Sequence, residues 1–271
     1  MHNRLRLLLK LALLLCALPV WGQWIDTDSV LHVPASVRSL PDFAYAGRDD
    51  IAEVRFEAGS KLTKIGDYAF WQCGSLRRVE FPASVTQLGE GCLKECGQLR
   101  RVAFPSALAT LPRYCCAWDT LLTEVVLPPR LKDIGSHAFA YCVSLRDMPL
   151  PSGLRHVGSN VWSRCSSLEE MTFPKSVTEL ESYALSDCVS LRRVVLPANK
   201  SLLGELILSG CSSLEEVVEM SPVPPPFDCN SPLFDPDDTA AWTHCRLTVP
   251  AGARNAYSRA PGWRLFFSPA P

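Results

Sequence analysis

Thiols are the first groups in this chain that could do chemistry. Six of its 12 cysteines recur at multiples of 23 residues: Cys73, Cys96, Cys142, Cys165, Cys188 and Cys211. Asp119 takes the one remaining place in that column. A thiol becomes a nucleophile or a metal ligand when nearby positive charge lowers its pKa. Repeated at a structural period, it reads instead as a small buried hydrophobe. Neighbours in such a column are close enough to bridge, but parallel Cβ vectors strain the disulfide. Metal binding fares no better: Cys115 and Cys116 are adjacent, so one points away if the other points in, His244-Cys245 is isolated, and His137 and His156 fall in different columns. GxSxG, P-loop and Rossmann glycine patterns are absent. The expectation is therefore a non-enzymatic chain with no catalytic residues, no cofactor and no metal. Cys229 and Cys245 escape the period and flank a Pro-rich insertion, so a disulfide between them is possible in an oxidising compartment.

Guanidinium groups are the second chemistry on offer. Leucines also stand 23 residues apart, at Leu76, Leu99, Leu122, Leu145, Leu168, Leu191 and Leu214, and charged pairs follow most of them. Arg77, Arg78, Arg100 and Arg101 open the series. Arg146 and Asp147, Glu169 and Glu170, Arg192 and Arg193, then Glu215 and Glu216 continue it. One column further lie Glu80, Ala103, Val126, Pro149, Thr172, Val195 and Val218. An arginine block with few acidic neighbours suits carboxylate or sulfate partners. The candidate partner-binding residues are thus Arg77, Arg78, Arg100, Arg101, Val126, Arg146, Val195 and Val218. The competing reading is a solvated face whose later rungs, such as Glu170, Arg193 and Glu216, merely pair across strands.

These residues need elements to hold them, and the 23-residue period supplies them. In the unit from Ile65 to Ser84, Ile65, Ala69, Phe70, Cys73, Leu76, Val79 and Phe81 are apolar columns, matched three units later by Ile134, Ala138, Phe139, Cys142, Leu145, Met148 and Leu150. Val79-x-Phe81 alternates as a short β-strand, and Pro82 ends it. Gly66, Gly89, Gly135, Gly158 and Gly204 share a column that reads as a turn, with Pro112 and Glu181 departing from it. Asp67 to Gln72 read as a short helical turn on the opposite side. Leu40, Ala44, Tyr45, Ile51 and Val54 form an earlier unit at an offset of 25, which places two extra residues between Glu57 and Lys64. A fixed period with several agreeing columns means a solenoid, each unit burying its edge against the next.

The same residues resemble the BspA-like leucine-rich repeats of bacterial surface proteins, whose units read Leu-x-x-Ile-x-Ile-Pro followed by Ile-Gly-x-x-Ala-Phe-x-x-Cys. Departures are local: Cys92 and Cys115 stand in the alanine column, Cys116 and Trp162 in the phenylalanine column. Leu247-Thr248-Val249-Pro250-Ala251-Gly252, Tyr257 and Gly262-Trp263 resemble that family's C-terminal segment. The resemblance implies a repeat solenoid with parallel strands on one face, and adhesion to a protein partner on a host or bacterial surface.

The expected organisation is a signal peptide over 1–22, a leader over 23–30, about eight repeats over 31–219, and a Pro-rich insertion with a C-terminal cap over 220–271. Arg4, Arg6 and Lys10 precede the apolar run from Leu11 to Val20, and Gly22 offers a small cleavage residue. Cys16 invites a lipid anchor, but Leu15 stands where a small residue belongs. Cleavage removes three of the 27 basic residues and none of the 28 acidic ones, leaving a net charge of −4. That balance argues against nucleic acid as a partner. No later segment suits a membrane span. The expected location is secreted or at the cell surface. The alternative is a periplasmic scaffold or envelope component without a host ligand.

Overall fold

The computed structural model describes residues 24–198, 201–225, 233–234 and 244–267. The expected signal peptide and Cys229 lie outside them. The chain winds as a parallel β-solenoid of about eight turns. In each coil the anchor leucine turns inward and leads into a strand whose residues alternate, as in Arg78 out, Val79 in, Glu80 out. Five such strands stack in order: β1 (Val30–Val33), β3 (Glu53–Phe56), β5 (Arg78–Glu80), β7 (Arg101–Ala103) and β9 (Glu124–Val126). Each fully buried leucine of the ladder contributes on the order of 1.5–3 kcal/mol.

That sheet does not run uninterrupted, which corrects the expectation of uniformly stacked strands. Residues 146–150 form no strand, and pairing resumes with β12 (Glu170–Thr172), β14 (Arg193–Leu196), β16 (Glu216–Glu219) and β17 (Arg246–Thr248). Pro149 has no amide hydrogen to give the ladder, so the rung loses that bond. In intact coils the next residue donates across, as Phe81 N–H does to Ala103 O at 3.2 Å.

A second, shorter row of strands escaped the sequence reading. β2 (Ser39–Leu40), β4 (Lys64–Ile65) and β6 (Gln87–Leu88) form one sheet. β8 (Thr110–Leu111), β10 (Asp133–Ile134), β11 (His156–Val157), β13 (Glu179–Leu180) and β15 (Leu202–Leu203) form another. Register dates the insertion: β1 and β3 pair at an offset of 23, β3 and β5 at 25, β2 and β4 at 25, and β4 and β6 at 23. The two extra residues therefore lie between β3 and β4.

The expected helical turn at Asp67–Gln72 is a different structure. Tyr68 and Gln72 have φ of 54° and 56°, which no right-handed helix contains. The amides of Tyr68, Phe70 and Gln72 donate to Glu90, Cys92 and Lys94 of the next coil at 2.7–2.9 Å. The intervening amides of Trp71 and Cys73 close local turns onto Tyr68 and Phe70. Left-handed residues aim alternate amides along the stacking direction, so this side is also hydrogen-bonded from coil to coil. Those bonds offset the steric cost of the left-handed region, of order 1 kcal/mol per residue.

The glycine column also has another cause than the one expected. None of Gly66, Gly89, Gly135, Gly158 and Gly204 has a positive φ. A Cβ on Gly89 would stand 2.3 Å from Asp67 N and Gly66 C, and one on Gly204 would stand 2.2 Å from Ser182 N. The column is glycine because the backbones of successive coils nearly touch there.

Beyond the Pro-rich stretch, β17 extends the strand face, followed by α1 (Arg254–Tyr257) and a 3-10 turn (Trp263–Phe267). Tyr257 and Trp263 are fully buried. Tyr257 Oη donates to Ser221 O at 2.9 Å, and Trp263 Nε1 donates to Pro225 O at 3.1 Å.

Candidate partner-binding faces

The arginine block is less free than its sequence suggests. Arg78 and Arg101 point outward from β5 and β7, and both pair with Glu80; Arg101 also reaches Glu124 at 2.8 Å. Arg78 first, then Arg101, holds the Glu80 carboxyl below the usual range. Two of the four guanidinium groups are thus neutralised by rungs on their own sheet. The expectation that the block has few acidic neighbours is corrected for Arg78 and Arg101. The sequence reading weighed each unit's own pair and missed Glu80, which lies two residues beyond Arg78 on one strand and is set beside Arg101 by the parallel stack.

Arg77 and Arg100 stand one residue earlier, at the lip where the chain enters the strand. Both are exposed and make no ion pair among the described residues. Arg146 continues this lip two coils beyond Arg100, beside the sheet break, and is likewise exposed without an ion pair among the described residues. The lip then changes character, because Arg192 faces Glu215 at 3.7 Å. On the sheet itself Arg193 pairs with Glu216 at 3.0 Å, and Glu216 also accepts from Arg246 and Thr248. Glu170 is in register with Arg193, yet Arg193 turns toward Glu216.

The apolar stripe is divided. Val126 is 42 % exposed on β9, whereas Val195 and Val218 are half-buried on β14 and β16. Pro149 and the strand break separate the two groups.

The cysteine column is sealed. Cys73, Cys96, Cys142, Cys165, Cys188 and Cys211 are fully buried, and each sulfur approaches a carbonyl of the preceding coil, as Cys165 Sγ does Phe139 O at 3.2 Å. Burial pushes the Cys73 and Cys165 thiols up to about 12, far from nucleophilic. A hydroxyl at position 165 would find the Phe139 carbonyl as its partner. Asp119, also fully buried, accepts the Cys96 amide at 2.7 Å. Desolvation raises its pKa well above the carboxylate range, which favours the protonated form. Cys92 and Cys115 bring their sulfurs to 3.8 Å across neighbouring coils. Cys245 is buried, but its expected partner Cys229 lies outside the described residues. Among the described residues no group of three His, Cys, Asp or Glu side chains is placed to hold a metal. No helix among them is long and apolar enough to cross a membrane.

The opposite side carries a feature that sequence reasoning missed. The left-handed positions form two columns. Tyr68, Tyr114, His137, Asn160 and Tyr183 lie in one; Gln72, Trp118, Tyr141, Arg164 and Asp187 lie in the other. Rings stack within each column: Tyr114 on His137 at 4.7 Å and Trp118 on Tyr141 at 4.9 Å between centroids. Lys94 lies over Trp118 at 5.0 Å and Arg164 over Tyr141 at 5.2 Å. Between the columns runs a floor of small residues, Ala117, Ala140, Ser163 and Ser186, and the last two share a 2.9 Å hydrogen bond. The signal was present in the sequence, since Tyr68, Tyr114 and Tyr183 are separated by multiples of 23.

Known proteins share this architecture. The model of the BspA type leucine rich repeat region matches residues 29–146 and 110–223, in six copies. A leucine-rich repeat protein from T. pallidum is 30 % identical, with a TM-score of 0.51 over 57 % of this chain and 72 % of that one. One from Bacteroides ovatus is 21 % identical, with a TM-score of 0.65 over 82 % of this chain; the match spans 61 % of that protein's length. No curated protein is significantly similar in sequence. With the period, the buried columns and the parallel coils all in agreement with that repeat, the chain belongs to the BspA-type leucine-rich repeat family.

Proposed function

We propose that this is a non-enzymatic, secreted or surface-exposed binding protein that holds an acidic protein partner against the lip of its strand face. The observation that carries this reading is the column Arg77, Arg100 and Arg146, exposed and without an ion pair among the described residues, beside exposed Val126. Guanidinium groups with unused N–H donors suit carboxylates, and a rigid stack of coils offers the breadth that protein recognition needs. Buried thiols with raised pKa values favour binding over catalysis. The test is a pulldown from host and bacterial extracts with wild-type protein and two variants. Changing Arg77, Arg100 and Arg146 to Ser should weaken capture by at least about tenfold and flatten its salt dependence. Changing Arg78 and Arg101 to Ser should matter less. Equal capture by all three proteins removes the lip as the site.

The second reading, a periplasmic or envelope scaffold, rests on the extensive self-pairing of the strand-face charges. Protease treatment of intact cells separates the two, because a surface protein is cut and a periplasmic one is spared. The C-terminal segment from Arg246 to Phe267 fits a cap that covers the last coil's apolar edge. Truncation after Glu219 should then cause aggregation, and a monomeric truncation with unchanged melting would refute the cap.

A further inference from the structure

The aromatic column on the turn side has a missing rung. Tyr114 stacks on His137 at 4.7 Å, one coil apart, and Tyr183 lies two coils beyond His137 in the same column. Asn160 occupies the intervening place with φ of 57°, the conformation its ring-bearing neighbours share. His137 and Tyr183 therefore stand about 10 Å apart, two coil spacings, with only a short amide side chain between them. A hollow of about 360 Å³ opens at this point, bordered by His137, Asn160, Tyr183, Tyr141, Arg164 and Asp187 above the Ser163–Ser186 floor.

Its polar groups are poised for hydrogen bonding. His137 Nδ1 is buried without a hydrogen-bond partner among the described residues. The Asn160 amide and the Tyr141 and Tyr183 hydroxyls have no side-chain hydrogen bond among the described residues. Arg164 commits Nε to Asp187 at 3.2 Å and keeps its terminal N–H groups available. The charges cancel, since one guanidinium faces one carboxylate. An uncharged ligand with a ring thin enough for the vacant rung, weakly polar faces and a rim of donors and acceptors satisfies all of these groups together. A pyranose has that form, with C–H groups on its faces and hydroxyls around its edge. An extended peptide suits the site less, because its like-facing side chains recur about every 6.6 Å and fall out of step with coils about 4.8 Å apart.

We propose that the hollow between His137 and Tyr183 binds a neutral saccharide, one pyranose filling the rung above Asn160 and its hydroxyls meeting Asn160, Arg164 and Asp187. This site lies on the other side of the solenoid from the strand-face lip and does not depend on it.

The experiment titrates the full mature chain with chitotriose, cellotriose, maltotriose and mannotriose, following Trp118 by fluorescence and heat by calorimetry. Saturable binding of at least one sugar below about 10 mM is expected. Asn160→Tyr supplies the missing ring in a conformation that Tyr114 and Tyr183 already adopt, so it should fold, melt no lower than wild type and abolish binding. Tyr183→Ala, checked for an intact fold by melting, should weaken binding by at least about tenfold. Absence of binding by all four sugars, or binding unaffected by Asn160→Tyr, overturns the proposal. Tighter binding of adenosine than of any sugar would also overturn it, by assigning the rung to a flat heterocycle.

Discussion

The two faces of this solenoid hold their side chains in place by different means. On the strand face the backbone is ordinary extended chain, and outward groups find partners through exposed ion pairs such as Arg78–Glu80–Arg101–Glu124. On the turn face left-handed residues and near-touching glycines fix the backbone itself, and rings and cations stack on that frame. Exposed pairs are screened and rearrange at little cost. Backbone approach and buried hydrogen bonds have no alternative arrangement of similar energy. The strand face should therefore accept substitution and vary its charge pattern, while the turn side and the interior behind it dictate whether the coils close.

The sharpest way to break this contrast is Gly89→Ala. The added Cβ meets backbone atoms at 2.3 Å, so two coils must separate, and a loss of about 2–3 kcal/mol is expected by chemical denaturation. A neutral result would mean that the coils are not held by this approach. Next comes Asp119→Cys, which restores the column and removes a buried carboxyl, with an expected gain of about 2 kcal/mol near neutral pH. Its pH dependence supplies a second check. The folded Asp119 keeps its proton where the unfolded chain has released it, so wild-type stability falls as pH rises above the unfolded value of about 3.9. The fall ends where the folded carboxyl ionises. The variant should lose that slope, and an unchanged profile would count against a protonated Asp119.

A smaller effect separates shape from hydrogen bonding in the cysteine column. Cys165→Ala removes one of two donors from the Phe139 carbonyl, which keeps the Cys142 amide at 3.2 Å, and should cost about 1 kcal/mol, whereas Cys165→Ser retains a donor and should cost less. If serine proves worse than alanine, the column is selected for apolar volume alone. The least effect belongs to the strand face. Glu80→Gln removes two ion pairs at once, yet melting should move by no more than about 0.5 kcal/mol in physiological salt. A loss comparable to that of Gly89→Ala would erase the distinction between the faces.

Particular residues show how far the sequence could be read. The inward column Leu76, Cys73, Phe70, Val79 was legible because burial is dictated by residue type and repeated at one period. So was the two-residue insertion between β3 and β4, since the apolar columns shift together across it. The free lip was only partly legible. Arg77 and Arg78 are adjacent and identical in type, yet Arg77 has no ion pair among the described residues and Arg78 faces Glu80. That split depends on which side of the strand entry each residue falls. Asn160 was not read as part of a site, because a lone asparagine carries no signal of its own and the ring column around it, though present at the period, was not assembled.

By itself the sequence determined that this chain stacks identical coils, which side chains form the core and where the period falters, because hydrophobic burial is a property of composition and spacing. Only the tertiary structure decided the left-handed turns, the strand break at Pro149, the neutralisation of Arg78 and Arg101, and the open rung between His137 and Tyr183. Apart from the Arg78–Glu80 pair within one strand and the local break at Pro149, these arise between residues about 23 or 46 positions apart, brought within one or two coil spacings by stacking. Pairing at that range follows from where backbone amides point and which neighbour a side chain reaches first, and a period alone specifies neither.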